Sequence, residues 1–498
     1  MTMNLKRNSG ILMPISSLPS QYGIGTLGEA AFRFADFLKS AGQTCWQLLP
    51  LGPTGYGDSP YSSFSAYAGN PYFIDLEFLC RDGLLEKGDI DGVDWGNDPR
   101  NVDYGKIYAR RWEVLRKAFR AGWPRDRQAV LAFAEENGRW LPDYALFMAL
   151  KQHFGMRPWT YWADKDIRTR HPESMARYQA LLEDDMRFFT YLQFLFFRQW
   201  HTLREYAGSR GIRLIGDLPM YVAPDSADVW AEPENFLLDE QNLPREVSGV
   251  PPDRFSADGQ LWGNPIYDWQ RMREDGYSWW IRRIAGSKRL YDILRIDHFR
   301  GLESYWSVPY GAKTSKAGRW VKGPGMDFVR IIRDWFAGVP IIAEDLGLMT
   351  PEVGQLMAES GFPGMKVLAF AFGDGEASGY LPHNYGHNCV CYVGTHDNET
   401  IIQWRDTADR RDVAFARRYL AIHDDEGFNW GVIRGGMSSV ADLFVVQMQD
   451  CLGLGGEARM NIPGTETGNW RWRLLPGEAD DVLAAKLYEY TKMYGRCE

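Results

Sequence analysis

Cysteine is scarce in this chain: six residues in 498 (Cys45, Cys80, Cys389, Cys391, Cys451 and Cys497), none of them in CxxC spacing. Neither a disulfide framework nor a structural zinc site fits that pattern. No apolar run approaches the roughly 18 residues that a membrane helix needs. Residues 1–9 hold Lys6 and Arg7 with no apolar stretch behind them, so no signal peptide is expected. These absences lead to the expectation of a cytoplasmic, non-membrane protein. A basic block is missing too: 56 Lys and Arg stand against 65 Asp and Glu, a net charge of -9, which argues against nucleic acid as the partner and suits a neutral ligand. HExxH and its relatives are absent. Asp217, Asp297, His298, Glu344, His396 and Asp397 carry groups able to ligate a divalent ion, but no ligand motif joins them, so no metal is expected.

What is present concentrates in three segments: Arg295-Ile296-Asp297-His298-Phe299-Arg300-Gly301, Ala343-Glu344-Asp345-Leu346-Gly347 and Gly394-Thr395-His396-Asp397-Asn398-Glu399-Thr400. Each closes a strand-like apolar run with a carboxylate. A charge at the C-terminal end of a buried parallel strand is poorly explained by packing, and in a β/α barrel that edge is where sites are built.

The length is about three times that of a typical domain, so either several domains or one large barrel with insertions is expected. Hydrophobic residues at 45% and charged residues at 24% decide for a globular rather than a disordered chain. Eight strand-like runs recur, at 11–18, 44–51, 213–217, 294–297, 339–344, 365–372, 388–396 and 443–448, with amphipathic segments between several of them. Ala30, Phe34, Phe37 and Leu38 mark one helix, with Gly42 past its end. Another is framed by Thr350, Pro351 and Gly361, and a third spans 327–336. Eight strands alternating with helices is the barrel count, so the expected fold is an α/β (β/α)8 TIM barrel filling residues 1–498 as one catalytic domain. Two gaps exceed a simple crossover, approximately 53–184 after strand 2 and 223–276 after strand 3. The first is expected to be largely helical (107–121, 127–136, 143–154), the second loop-rich and placed over the active site. The aromatic run from Phe188 to Trp200 reads as a buried helix.

Gly23-Ile24-Gly25-Thr26-Leu27-Gly28 matches the dinucleotide fingerprint, but the next strand-like run, 44–51, supplies no acidic residue for ribose hydroxyls, so a tight βα turn is the reading. Asp297, Glu344 and Asp397 end three different strands and can converge across a barrel mouth. Retaining glycoside chemistry needs one ionised carboxylate as nucleophile and one carboxylic acid as proton donor, about 5 to 5.5 Å apart. Arg295 stands two residues before Asp297, on the same side of its strand, where it would lower that carboxylate's pKa; Glu344 would need burial and negative neighbours to raise its own. The bland alternative for each carboxylate is a salt bridge or cap at a strand end. Aromatics in Pro/Gly-rich stretches (Tyr56, Tyr61, Tyr67, Trp262, Tyr267, Trp269) suit the CH faces of sugars, although packing accounts for most individual rings.

These residues resemble the amylomaltases, or 4-α-glucanotransferases (disproportionating enzymes), of the α-amylase clan. The matching stretches include Gly10-Ile11-Leu12, Asp58-Ser59-Pro60-Tyr61-Ser62-Ser63-Phe64-Ser65-Ala66, Gly216-Asp217-Leu218-Pro219, Gly249-Val250-Pro251-Pro252-Asp253, Trp262-Gly263-Asn264-Pro265, the three carboxylate segments and Arg459-Met460-Asn461-Ile462-Pro463-Gly464-Thr465. The resemblance implies Asp297 as nucleophile, Glu344 as general acid/base and Asp397 as transition-state stabiliser. It further implies substrate contacts from Tyr61, Asp217, Asp253, Trp262, Arg295, Asp345, His396 and Asn461. The implied reaction cleaves an α-1,4 bond of a glucan or maltooligosaccharide and passes the segment to the 4-hydroxyl of another, with no cofactor. An α-glucan hydrolase using the same carboxylates and a non-catalytic glucan-binding barrel are the competing readings.

Overall fold

The computed structural model describes residues 7–55, 57–252 and 256–497. Eight parallel strands form its centre: β1 (Asn8–Leu12), β2 (Cys45–Gln47), β3 (Arg213–Leu218), β6 (Ile293–Ile296), β9 (Ile341–Ala343), β10 (Gly364–Val367), β11 (Cys389–Tyr392) and β12 (Leu443–Gln447). They lie side by side in chain order, and β12 pairs with β1 from Asn8↔Leu443 to Leu12↔Gln447, which turns the sheet back on itself. Among the described residues, only the β9/β10 seam lacks a ladder. There the Ala343 N–H donates to the Pro363 carbonyl at 2.9 Å, and the Met365 N–H donates to Asp345 Oδ1 at 2.6 Å. Gly364 permits this approach, because a Cβ at that position would sit 2.3 Å from Asp345 Oδ2. The expected (β/α)8 barrel is the fold, and all eight expected strands belong to it.

Alternation along each strand sorts the barrel interior into levels. Cys45, Ile215, Ile293, Ile342 and Val445 belong to one fully buried apolar cluster. Two residues further along the same strands stand Gln47, Asp217, Arg295, Glu344 and Gln447. The interior is thus apolar toward the N-terminal end of the strands and polar at the C-terminal rim. The larger core lies outside the barrel, between the strands and the surrounding helices.

Between β2 and β3 the chain is mostly helical, including Tyr104–Glu136, Leu141–His153 and Glu183–Ser209. The sequence suggested a break near residue 124, yet Tyr104–Glu136 runs through Pro124 unbroken. Proline removes one helical hydrogen bond. Phe119 and Trp123 on this helix pack together, and Phe119 packs on Phe188 and Tyr191 of the neighbouring helix, holding both halves in line. The Phe188 to Trp200 run is buried within Glu183–Ser209, as its composition suggested.

In the stretch 223–276, expected to be loop-rich, the structure places two strands, β4 (Glu246–Val250) and β5 (Gln260–Pro265). With β7 (Ser304–Pro309) and β8 (Arg319–Lys322) they form a second, antiparallel sheet in the order β5-β4-β7-β8. Its central ladder joins β4 to β7, from Glu246↔Pro309 to Gly249↔Trp306, a pairing too distant in sequence for local periodicity to show. Among the described residues no helix is long and apolar enough to cross a membrane.

Candidate active site

The carboxylates stand where the strands release the chain. Asp297 follows Ile296 of β6, Glu344 follows Ala343 of β9, and Asp397 lies five residues past Tyr392 of β11. Asp217 and Arg295 are register partners on β3 and β6. Arg295, 3% exposed, donates from Nη1 to Asp217 Oδ1 at 2.6 Å and to Asp297 Oδ1 at 3.0 Å. Tyr61, from the loop after β2, donates its hydroxyl proton to Asp217 Oδ2 at 2.6 Å, and its oxygen stands 2.8 Å from His396 Nε2. With that proton committed to Asp217, Nε2 must be the donor in the second bond. His396 Nε2 also lies 3.4 Å from Asp397 Oδ2, and Asn461 Nδ2 donates to Asp397 Oδ1 at 2.6 Å. One network therefore runs from Asp297 through Arg295, Asp217, Tyr61 and His396 to Asp397 and Asn461.

Glu344 is held separately, by backbone: its Oε2 accepts the His298 N–H at 2.7 Å and its Oε1 the Leu346 N–H at 2.7 Å. Burial and then the Asp297 charge push its carboxyl up to about 8, against Arg295 and the two amides. Burial, with Asp217 and Asp397, also raises Asp297, to about 6. Arg295 therefore tempers the nucleophile candidate without bringing it below the usual carboxylate range, as the sequence had suggested it would. Asp297 keeps 28% of its side-chain surface open to the cleft and remains the more acidic of the two. Asp397 goes the other way: burial would raise it, but the His396 charge and the His396 and Asn461 hydrogen bonds hold it well below the usual range. His396 is raised, its loss of hydration outweighed by Asp397 and Asp217.

Trp262, on β5, meets the His298 ring edge to face at 4.8 Å between centroids and is 37% exposed. Tyr61 stacks on His396 at 5.3 Å. The Tyr61 loop is fastened at its far side, where the Ala227 N–H donates to the Phe64 carbonyl and the Ala66 N–H to Asp228 Oδ2, both at 2.8 Å. Among the described residues Asp345 shares no hydrogen bond with the network; its carboxylate accepts the Met365 N–H at the β10 seam. Asp253 lies outside the described residues, as does Tyr56. Two contributors were missed: His298, whose backbone holds Glu344, and Arg459, whose Nη2 donates to the Asp397 carbonyl at 3.1 Å. His298 directly follows Asp297, and its residue type tolerates the left-handed backbone it adopts there. Arg459 gave no signal beyond its place in the Asn461 segment.

Among the described residues no group of three or more His, Cys, Asp or Glu is arranged to hold a metal ion. The glycine motif at 23–28 is filled by its own chain, since a Cβ at Gly25 would lie 1.9 Å from the Ile15 carbonyl oxygen and one at Gly28 1.9 Å from Asp75 Oδ2. That leaves no cradle for a pyrophosphate.

A closed parallel barrel with this rim of carboxylates and aromatics defines the class: a barrel enzyme that works on glycosidic bonds. Comparison with known proteins makes this particular. The family model described as 4-alpha-glucanotransferase matches residues 13–478. The 4-alpha-glucanotransferase of Clostridium butyricum is 49% identical over 488 residues, covering 98% of this chain and 100% of the relative. That of Thermus thermophilus is 49% identical over 496 residues, covering 97% and 98%. The solved amylomaltase from Streptococcus agalactiae in complex with acarbose superposes with a TM-score of 0.97 at 41% identity, covering 99% of this chain and 100% of that one. The chain belongs to the 4-alpha-glucanotransferase family, and it is a glycosyl-transferring enzyme.

Proposed function

We propose that this protein cleaves α-1,4 bonds of maltooligosaccharides and glucans in the cytoplasm and transfers the released segment to the 4-hydroxyl of a second glucan, with retention at the anomeric carbon. An Asp297 carboxylate oxygen attacks C1 of the donor. The C1–O4 bond breaks, its electron pair stays on O4, and Glu344 supplies the proton that completes the leaving 4-hydroxyl. In the second half Glu344, now ionised, takes the proton of the acceptor 4-hydroxyl as that oxygen attacks C1 and releases Asp297. Asp397, kept ionised by His396 and Asn461, faces the positive charge that develops on the sugar ring in both halves. Tyr61, Asp217, Trp262, His396 and Asn461 bind and orient the sugar; no nucleic acid takes part.

The observation that carries this reading is the unequal treatment of neighbouring carboxylates, both raised by burial but Glu344 by more. Glu344 is buried on two backbone amides and remains protonated at neutral pH, whereas Asp297, open to the cleft and paired with Arg295, is largely ionised there. Two environments pushing two carboxyls apart is how acid and nucleophile are divided. Incubation with maltotriose alone, with products separated by chain length and reducing ends counted, tests it. Glucose plus longer oligosaccharides at a constant reducing-end count is expected. A rising count would replace transfer by hydrolysis, and no product at all would return the barrel to a binding role. Acarbose, present in the Streptococcus agalactiae complex, is expected to inhibit.

A further inference from the structure

His298 adopts a left-handed backbone directly after Asp297. Its φ is +47°, in the left-handed region that histidine tolerates better than most side chains but that still costs an L-residue free energy. In that conformation its N–H donates to Glu344 Oε2 at 2.7 Å, while its own carbonyl accepts the Gly301 N–H at 2.9 Å. The side chain is 8% exposed, and Trp262 of the antiparallel sheet stands edge-on to it at 4.8 Å. Strained backbone beside a site persists only where its surroundings hold it.

We propose that His298 is a positioning residue for the transfer reaction: its ring, held by Trp262, keeps the backbone left-handed so that its N–H orients the Glu344 carboxyl, coupling the β4–β5 segment to the proton donor. This rests on the reading of Glu344 as the acid/base. Other charged and titratable groups act on Glu344 as well: Asp297 and Arg295 from β6, Arg300 in the following turn, and Tyr380 from the segment after β10. None of them is altered by changing His298. The imidazole, lowered to about 3 by burial and then by Arg300, stays neutral through the working range, so a moved titration reports Glu344 and not the histidine.

The test is the pH profile of kcat for maltotriose disproportionation. His298→Ala, which disfavours the left-handed backbone, withdraws an amide that stabilises the ionised carboxylate. The Glu344 pKa then rises, and the basic limb moves up by on the order of one pH unit. A fall in kcat of about tenfold, with KM within about twofold, accompanies the lost orientation. His298→Asn, which tolerates that backbone, is expected to return the limb to the wild-type position. Trp262→Ala, at a half-exposed position that threatens folding least, is expected to move the limb in the same direction as His298→Ala. It decides the matter should the alanine variant not fold. A limb that stays put in both His298→Ala and Trp262→Ala while kcat falls overturns the proposal and leaves a purely structural histidine. Glu344→Gln separates the two layers: if it keeps turnover with a basic limb, the acid/base reading fails, whereas if it abolishes turnover and the limb of His298→Ala is unmoved, only the role of His298 fails.

Discussion

The two levels of the barrel interior differ by a single turn of the pleat. At one level Cys45, Ile215, Ile293, Ile342 and Val445 are fully buried and apolar; two residues on, the same strands present Gln47, Asp217, Arg295, Glu344 and Gln447. The lower level is what a closed sheet needs, and each side chain there contributes by leaving water. The upper level does the reverse. It holds buried charges whose desolvation is only partly offset by Arg295, Tyr61 and the backbone amides, and that excess is what spreads the carboxyl pKa values apart. One ring of residues makes the barrel stable, and the adjacent ring draws on that stability to do chemistry.

The largest effect that would break this division is in the upper ring. Asp297→Asn and Glu344→Gln should each lower transfer by a factor on the order of 10³ or more while leaving the thermal midpoint unchanged or higher, because the first removes a desolvated charge and the second puts a neutral amide where the carboxyl is already neutral; paired activity and calorimetry check this. A large loss of stability in either variant would move that carboxylate to the structural level. Next comes Ile293→Ala, at a position with no exposure. It is expected to cost about 2 to 5 kcal/mol in chemical denaturation while leaving both limbs of the pH–rate profile in place.

The wild-type profile itself sharpens the comparison. With Asp297 raised to about 6 and Glu344 to about 8 in the free enzyme, kcat/KM should fall below about pH 6 as the nucleophile protonates and above about pH 8 as the acid loses its proton. The two limbs belong to the pair, since each charge shifts the other. The smallest effect concerns Asp450, a fully buried carboxyl outside the site, which accepts the Ile401 N–H at 2.7 Å and is raised by burial to about 7. A raised carboxyl favours the folded state below its unfolded pKa, about 3.9, and that contribution is lost as pH climbs to about 7. Asp450→Asn should therefore flatten the decline in thermal midpoint between about pH 4 and pH 7 without changing product distribution.

Much of the upper ring was legible in the sequence, because a carboxylate closing an apolar run is an anomaly that local pattern exposes. Asp217, Asp297 and Glu344 lie within one residue of the last strand pairing, so strand and charge were read together. The runs at 44–51, 365–372 and 388–396 read as longer strands than the ladders at Cys45–Gln47, Gly364–Val367 and Cys389–Tyr392. Past the last pairing the chain stays apolar while turning into the rim, and apolarity does not record where hydrogen bonding stops. Pro124 misled in the opposite sense, since the neighbouring helix that holds its helix straight is distant in sequence.

By itself the sequence determined the eight strands, the barrel they make and the carboxylates at its rim, because apolar runs and strand-end charges are local quantities. Only the tertiary structure decided the antiparallel sheet that brings Trp262 over the site, the turning of Asp345 to the β10 seam, and the αL backbone that aims the His298 amide at Glu344. The network linking Asp297 to Asp397 through Arg295, Asp217, Tyr61 and His396 likewise joins residues up to 335 positions apart. Hydrogen bonds, ring contacts and desolvation depend on distances across the folded chain, and those distances are set when the barrel closes.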